Sequence, residues 1–512
     1  MTAIPWLSWI PGAGRWLWSK IRGRPTVQAD RGAVAAGRDQ AIKDSVISAQ
    51  QALRGERGAL VAAVQHFHAP VTIISLSRYP DELPDVALEG PPESFKEAER
   101  LEAAGEHAGA IGQYEKAFAA AGEDYNRCVL HIRIARNFRE LNRPAEAEGH
   151  LLEALDLARR ATERELEAVA LWGLGLATYD RNWGRAEAYS REAVDAFESL
   201  GDQRHAARVM ILLGLVHRQQ DRSEEAEQSL IQALGIYRGL GDEEHQALCL
   251  YDLANVYRDR GDPESLSRAA AAAEQALAMY DKLGDRQAKA KALYTLALIY
   301  DSRTDPASAQ KAEERYLAAS ELYRADGDIA RQGDALNRAG RDASTRGDQP
   351  AALERCSHAL ALFEEAGDQR GAADALANLG IIHLQRAGQA LDNLDATHTG
   401  PAQIQQLQEH AEEARDHILR SLALYRQLGD LRNEAFGTAI LSFALLLRLD
   451  FASSNDELRR ARDLFSQVGD LARAEGLSGM LKRFERLEHL QAAGAPKPKG
   501  KRARKKPPPK AP

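Results

Sequence analysis

The stretch IYRGLGDEEHQALCLYDLANVYRDRGDPE, Ile236 to Glu264, decides the fold. Its two turns, Gly241-Asp242 and Gly261-Asp262-Pro263, carry helix-ending and helix-starting chemistry back to back. Glycine accepts the left-handed conformation that closes a helix. The following aspartate caps the free N–H groups of the next helix. Pro263 suits the first helical position, where its missing N–H costs nothing. Asp305-Pro306 and Arg143-Pro144 are read as equivalent turns. Gly-Asp recurs at Gly201, Gly241, Gly284, Gly327, Gly367, Gly429 and Gly469, at spacings of 40, 43, 43, 40, 62 and 40. Weaker copies stand at Gly122-Glu123 and Thr162-Glu163. The spacing of 62 is read as one unit of 40 plus an insertion of 22, residues 386–407. That segment is expected to be a mobile excursion that lengthens the following helix.

Each unit therefore reads as two helices. The first carries large-small pairs: Leu174-Gly175, Leu213-Gly214, Leu253-Ala254, Leu296-Ala297 and Leu379-Gly380. The second carries alanines seven apart, as at Ala147/Ala154, Ala186/Ala193 and Ala226/Ala233. Small residues allow close helix approach, and the large neighbour fills the next gap. One pair alone cannot offset about 1–2 kcal/mol of backbone entropy per residue, whereas stacked pairs share one core.

A Leu-Gly step, then an aromatic residue or histidine three positions on (His217, Tyr257, Tyr300, His383), then the alanines, resembles the tetratricopeptide repeat. The longer unit with Leu-Gly-Asp between copies is similar to G-protein-linked polarity scaffolds and bacterial peptide-responsive regulators. The resemblance covers residues 93–490. It implies an all-α, right-handed α-solenoid of about nine helix pairs, closed by a capping helix over Leu471 to Leu490, with the first helix of each pair lining a concave wall.

With the small residue as zero, positions −6, −3, +1 and +4 share one helical stripe, which in this family faces the groove. The expected groove residues are Trp172 and Tyr179; Arg208 and Arg218; Tyr251, Asn255 and Arg258; Lys291 and Tyr294; Asn337 and Arg341. The stripe is apolar at its N-terminal end and basic, with Asn and Tyr, in its middle. Cations with asparagine resemble repeat domains that clamp a terminal carboxylate, although the basic residues here fall out of that register. The same cations also suit intramolecular pairs with Asp301 and Asp334.

The 512-residue chain is 44% hydrophobic and 28% charged, with a net charge of −8. Its tail, Pro496 to Pro512, holds eight Lys/Arg and no acid. Residues 491–512 are expected to be disordered and to contact an anionic membrane, nucleic acid or an acidic partner. Residues 1–30 gather Trp6, Trp9, Trp16 and Trp18 among basic residues, a composition suited to a membrane interface, to a partner or to docking on the solenoid. Residues 31–92 read as a short leader, a helix and a Pro-rich linker. The leader resembles short segments of bacterial signalling and defence proteins. No stretch reaches the roughly 20 apolar residues of a membrane span. Cys128, Cys249 and Cys356 lie far apart, and they are expected to be buried thiols in a reducing cytoplasm.

No nucleophile elbow, zinc-protease motif or phosphate-binding loop occurs. His66 and His68 form a lone pair, and Cys128 with His131 lacks a third ligand. The chain is therefore expected to be a non-enzymatic scaffold that holds a peptide or protein, without cofactor, metal or small-molecule substrate. The alternative is a membrane-surface adaptor anchored by its two ends, cytoplasmic or peripheral to a membrane.

Overall fold

The computed structural model describes residues 92–494, apart from 119, 120, 123, 304, 305, 393–400 and 449. The Trp-rich start, the leader, the basic tail, His66-x-His68 and Asp305 lie outside the described residues, as does Glu123 of the first weak copy. Among the described residues there are nineteen helices and no strand. They form nine antiparallel pairs and a closing helix, in two compact units spanning 92–327 and 328–494.

The first unit holds α1 (Glu93–Ala103) and α2 (His107–Ala117), α3 (Asp124–Glu140) and α4 (Pro144–Ala161), and α5 (Arg164–Thr178) and α6 (Trp183–Ser199). It continues through α7 (Gln203–Gln219) and α8 (Ser223–Leu240), α9 (Glu243–Arg260) and α10 (Pro263–Leu283), and α11 (Arg286–Asp301) and α12 (Pro306–Ala325). The second unit holds α13 (Ile329–Arg346) and α14 (Gln349–Ala366), α15 (Gln369–Asp392) and α16 (Pro401–Gln427), and α17 (Leu431–Leu447) and α18 (Phe451–Gln467). The closing helix α19 (Leu471–Gly494) packs on α18 through Leu477, Met480, Leu481 and Phe484.

Every Gly-Asp junction has the geometry its chemistry dictates. Gly241 sits at φ 67° and Gly367 at φ 70°, and the other five glycines also have positive φ. Each aspartate accepts a hydrogen bond from the backbone N–H three residues on, as Asp242 does from His245 and Asp368 from Gly371. Asp262 caps Glu264 and Ser265 with Pro263 at the first helical position. Pro144 occupies the same position, but Arg143 provides no side-chain cap.

The small residues sit where two helices of one pair nearly touch. A Cβ on Gly214 would come within 2.7 Å of Leu230, and one on Gly380 within 2.6 Å of Ile418. Opposite them, Ala226 and Ala414 present backbone carbonyls to the same contact. Successive first helices also touch across neighbouring pairs within each unit.

A second device ties pairs together in the first unit. Glu148 accepts from Arg181 (2.7 Å) and pairs with Arg185 (2.5 Å). Glu187 takes Arg222 (2.9 Å) and lies 3.3 Å from His217. Glu227 takes Tyr257 (2.9 Å), Arg260 (2.7 Å) and Arg268. Glu274 takes Tyr300 (3.0 Å). Each glutamate follows the packed alanine of a second helix, and its donors come from the pair that follows.

The insertion lengthens the following helix, as expected, but both of its ends also join the core. Residues 386–392 continue α15 and residues 401–407 open α16, with Ala387 and Leu407 buried in the core of the second unit. Apolar residues at helical spacing on both segments give the lengthened pair its own packed contact. The deletion of all 22 residues would therefore remove core, not a free loop.

Candidate functional site

The expected groove stripe falls on the first helices, but much of it points into the contact between successive first helices. Trp172, Tyr179 and Asn255 are buried in the first unit, and Asn337 and Arg341 in the second. Trp172 packs edge-on against Phe197, and burial pushes the Tyr179 hydroxyl up to about 12. Arg208 is also buried, against the ring of His245, which stacks on Tyr237 and approaches Asp242 at 2.9 Å. These residues are wall, not lining. In a tight stack, the stripe facing the groove borders the stripe facing the next repeat, and long side chains at its edge are covered by their neighbours.

Polar side chains bridge one first helix to the next at intervals near one repeat. Gln219 donates to the Tyr179 hydroxyl (3.2 Å), the Arg218 guanidinium to Asp259 (2.5 Å), and Thr295 to the Tyr251 hydroxyl (3.4 Å). Asn255 donates to its own helix at the Tyr251 carbonyl. In the second unit, Asn378 donates to Asn337 (2.9 Å), and Arg341 lies 3.4 Å from Asp342. Asp259 thus meets Arg218, and Asp342 lies beside Arg341. Asp334 meets Arg338.

What remains partly open on the first unit's wall is a patch on α9 and α11: Tyr251, Arg258, Lys291 and Tyr294. Arg258 grips Asp259 at 2.8 Å, so this carboxylate is shared by Arg218 and Arg258. Tyr294 packs edge-on against Tyr316. The patch presents two rings and two cations, with one acid already partly neutralised.

The three cysteines are buried, and burial raises each thiol pKa, to about 12 for Cys128 and Cys356. A thiol held protonated is a poor nucleophile. His131 meets His150 at 3.0 Å between Phe118 and Phe138. Burial lowers His131 to about 4. That is a packed aromatic cluster.

A different cluster escaped the reading of the sequence. His383 of α15 faces His410, Glu413 and His417 of α16. The spacing of the last three, His-x-x-Glu-x-x-x-His, is the signal that could have revealed one face of a helix. No helix among the described residues is long and apolar enough to cross a membrane.

The family model for the tetratricopeptide repeat matches residues 205–282, which span α7 to α10. This segment consists of tetratricopeptide repeats, and the same helix-pair unit recurs on either side of it. No curated protein matches the chain. Among solved structures, the chain is similar to the apo quorum sensor NprR from B. thuringiensis, at 15% identity and a TM-score of 0.45, over 73% of this chain and 97% of that one. It is also similar to a Rap protein complexed with competence and sporulation factor, at 15% identity and 0.43, over 78% and 98%. A third is a signal transduction ATPase with a tetratricopeptide repeat sensor from Pyrococcus horikoshii, at 14% identity and 0.44, over 72% and 55%. These identities are too low for the activities of those proteins to carry over.

Proposed function

We propose that the chain is a non-enzymatic adaptor whose first unit holds a protein segment against α9 and α11, and that the segment is acidic or ends in a carboxylate. Repeat stacks offer extended surfaces suited to such partners. The observation that carries the reading is the patch of Tyr251, Arg258, Lys291 and Tyr294, partly open on a wall otherwise closed by its own polar bridges. Rings supply packing area at low entropic cost, and cations reward a carboxylate. Asp259 now occupies part of that role and would share Arg258 with a bound acid.

The test is fluorescence anisotropy of the full chain against labelled peptides that differ in acidic content and in a free or amidated C-terminus. Acidic peptides are expected to bind, and Arg258→Ala with Lys291→Ala to weaken them at least tenfold with an unchanged circular dichroism spectrum. Asp259→Asn is expected to strengthen them. Equal binding of basic peptides, or an affinity untouched by the double substitution, would refute the reading.

A further inference from the structure

We propose that His383, His410 and Glu413 form a site for a divalent ion of the zinc type in the second unit, with its remaining position open to water or His417. This inference is independent of the peptide-holding reading. The ligand atoms of the three residues all lie within 4.8 Å of one another. The Glu413 carboxylate is 2.7 Å from His383 Nδ1 and 3.2 Å from His410 Nδ1. A tetrahedral ion with bonds near 2.0–2.1 Å spaces its ligands about 3.3 Å apart, so small side-chain shifts would admit one.

Three further observations point to a ligand. His383 Nδ1 is buried and has no hydrogen-bond partner, although the carboxylate is close. His417 Nδ1 is likewise buried without a partner, on a ring stacked 5.4 Å from that of His383. Arg420, a neighbouring cation on α16, pairs with Glu364 at 3.4 Å.

The position in the fold is also particular. In α7, α9 and α11, the residue three beyond the small one reaches back to a glutamate of the preceding pair: His217 to Glu187, Tyr257 to Glu227 and Tyr300 to Glu274. His383 occupies that position in α15 but turns to α16 of its own pair. It does so where both helices run on into the insertion. Glu413 is half-exposed, which gives an ion a route in, while buried His383 supplies a drier inner wall. Imidazole with one carboxylate suits zinc over magnesium or calcium, which prefer all-oxygen sites. A bound ion would pin α15 to α16 beside the insertion.

The test is calorimetric titration of the full chain, freed of metal by EDTA and dialysis, with zinc chloride. One equivalent is expected to bind, with a rise in Tm, because an ion held only by the folded chain stabilises it. Glu413→Gln and His410→Ala sit toward the solvent side of α16 and should keep the circular dichroism spectrum. Each is expected to weaken zinc by more than about a hundredfold, beyond the roughly 10–100-fold loss typical of outer-shell partners. Cobalt in place of zinc should give a visible absorption band that both variants lose. A chain that takes no zinc overturns the proposal. So does zinc binding that survives both substitutions, or that disappears instead on His66→Ala with His68→Ala.

Discussion

The two units share one backbone device and differ in what is added to it. Gly-Asp junctions and close glycine contacts occur in both. In the first unit, neighbouring pairs are also stapled by glutamates that collect arginine, tyrosine and histidine donors. The second unit also has charged joints, Arg426 to Glu434 and Arg448 to Glu412 at 2.8 Å and Arg370 to Asp430 at 2.9 Å, and it adds amide joints, Asn378 to Asn337 and Ser344 to Gln385 (2.5 Å), with a broad apolar core from α15 to α19. Charge thus ties neighbouring pairs in both units, and the second adds amide bridges and a broad apolar core.

Two carboxyls, one in each unit, shift in opposite directions. Burial pushes Glu187 up, but hydrogen bonds from Arg222, Gln220 and His217 outweigh it and hold the carboxyl at about 2. Burial wins at Asp374, which rises to about 7 although the Tyr425 hydroxyl donates to it at 2.5 Å. A lowered carboxyl gives stability that is present above its unfolded value and lost as pH falls through about 2. A raised one gives stability that is present below its unfolded value and lost as pH rises through about 7.

The largest expected effect bears on what the units share. Gly214→Leu and Gly380→Leu should each cost about 3 kcal/mol, since overpacking a closed contact forces the helices apart. Chemical denaturation reads this directly. If only one of the two substitutions is costly, the common packing rule fails.

The next bears on the staples. Glu227→Ala leaves Tyr257, Arg260 and Arg268 without their common acceptor, and should cost about 1–3 kcal/mol, toward the lower end because Arg268 can turn to water. No measurable loss would mean that solvent already satisfies these donors.

The smallest effect bears on the contrast in charge. Asp374→Asn should become stabilising relative to the native chain as pH rises from 5 to 8, because the native carboxylate must then ionise in its buried place. Thermal unfolding at the two pH values measures it. A difference that does not change with pH would place Asp374 in water, and its contrast with Glu187 would disappear.

Much of the architecture was legible because it is local. A glycine that must adopt positive φ, an aspartate that must cap and a proline at the first helical position announce each boundary from a few neighbouring residues. Their period gave nine pairs and a closing helix. The packed glycines were legible too, since only a small residue tolerates that approach. The Ala-Glu dipeptides at 147–148, 186–187, 226–227 and 273–274 were on view, but a surface glutamate looks the same as a staple until its donors arrive from the next pair. Helical geometry placed Arg208 and Asn255 on one stripe of their first helices. It could not tell which long side chains the next helix would cover. The insertion kept helical apolar spacing, yet only packing decided that Ala387 and Leu407 belong to the core. The meeting of His383 with His410, Glu413 and His417 depends on the crossing of α15 and α16. Sequence fixes spacing along a helix, and tertiary structure alone decides which face it meets.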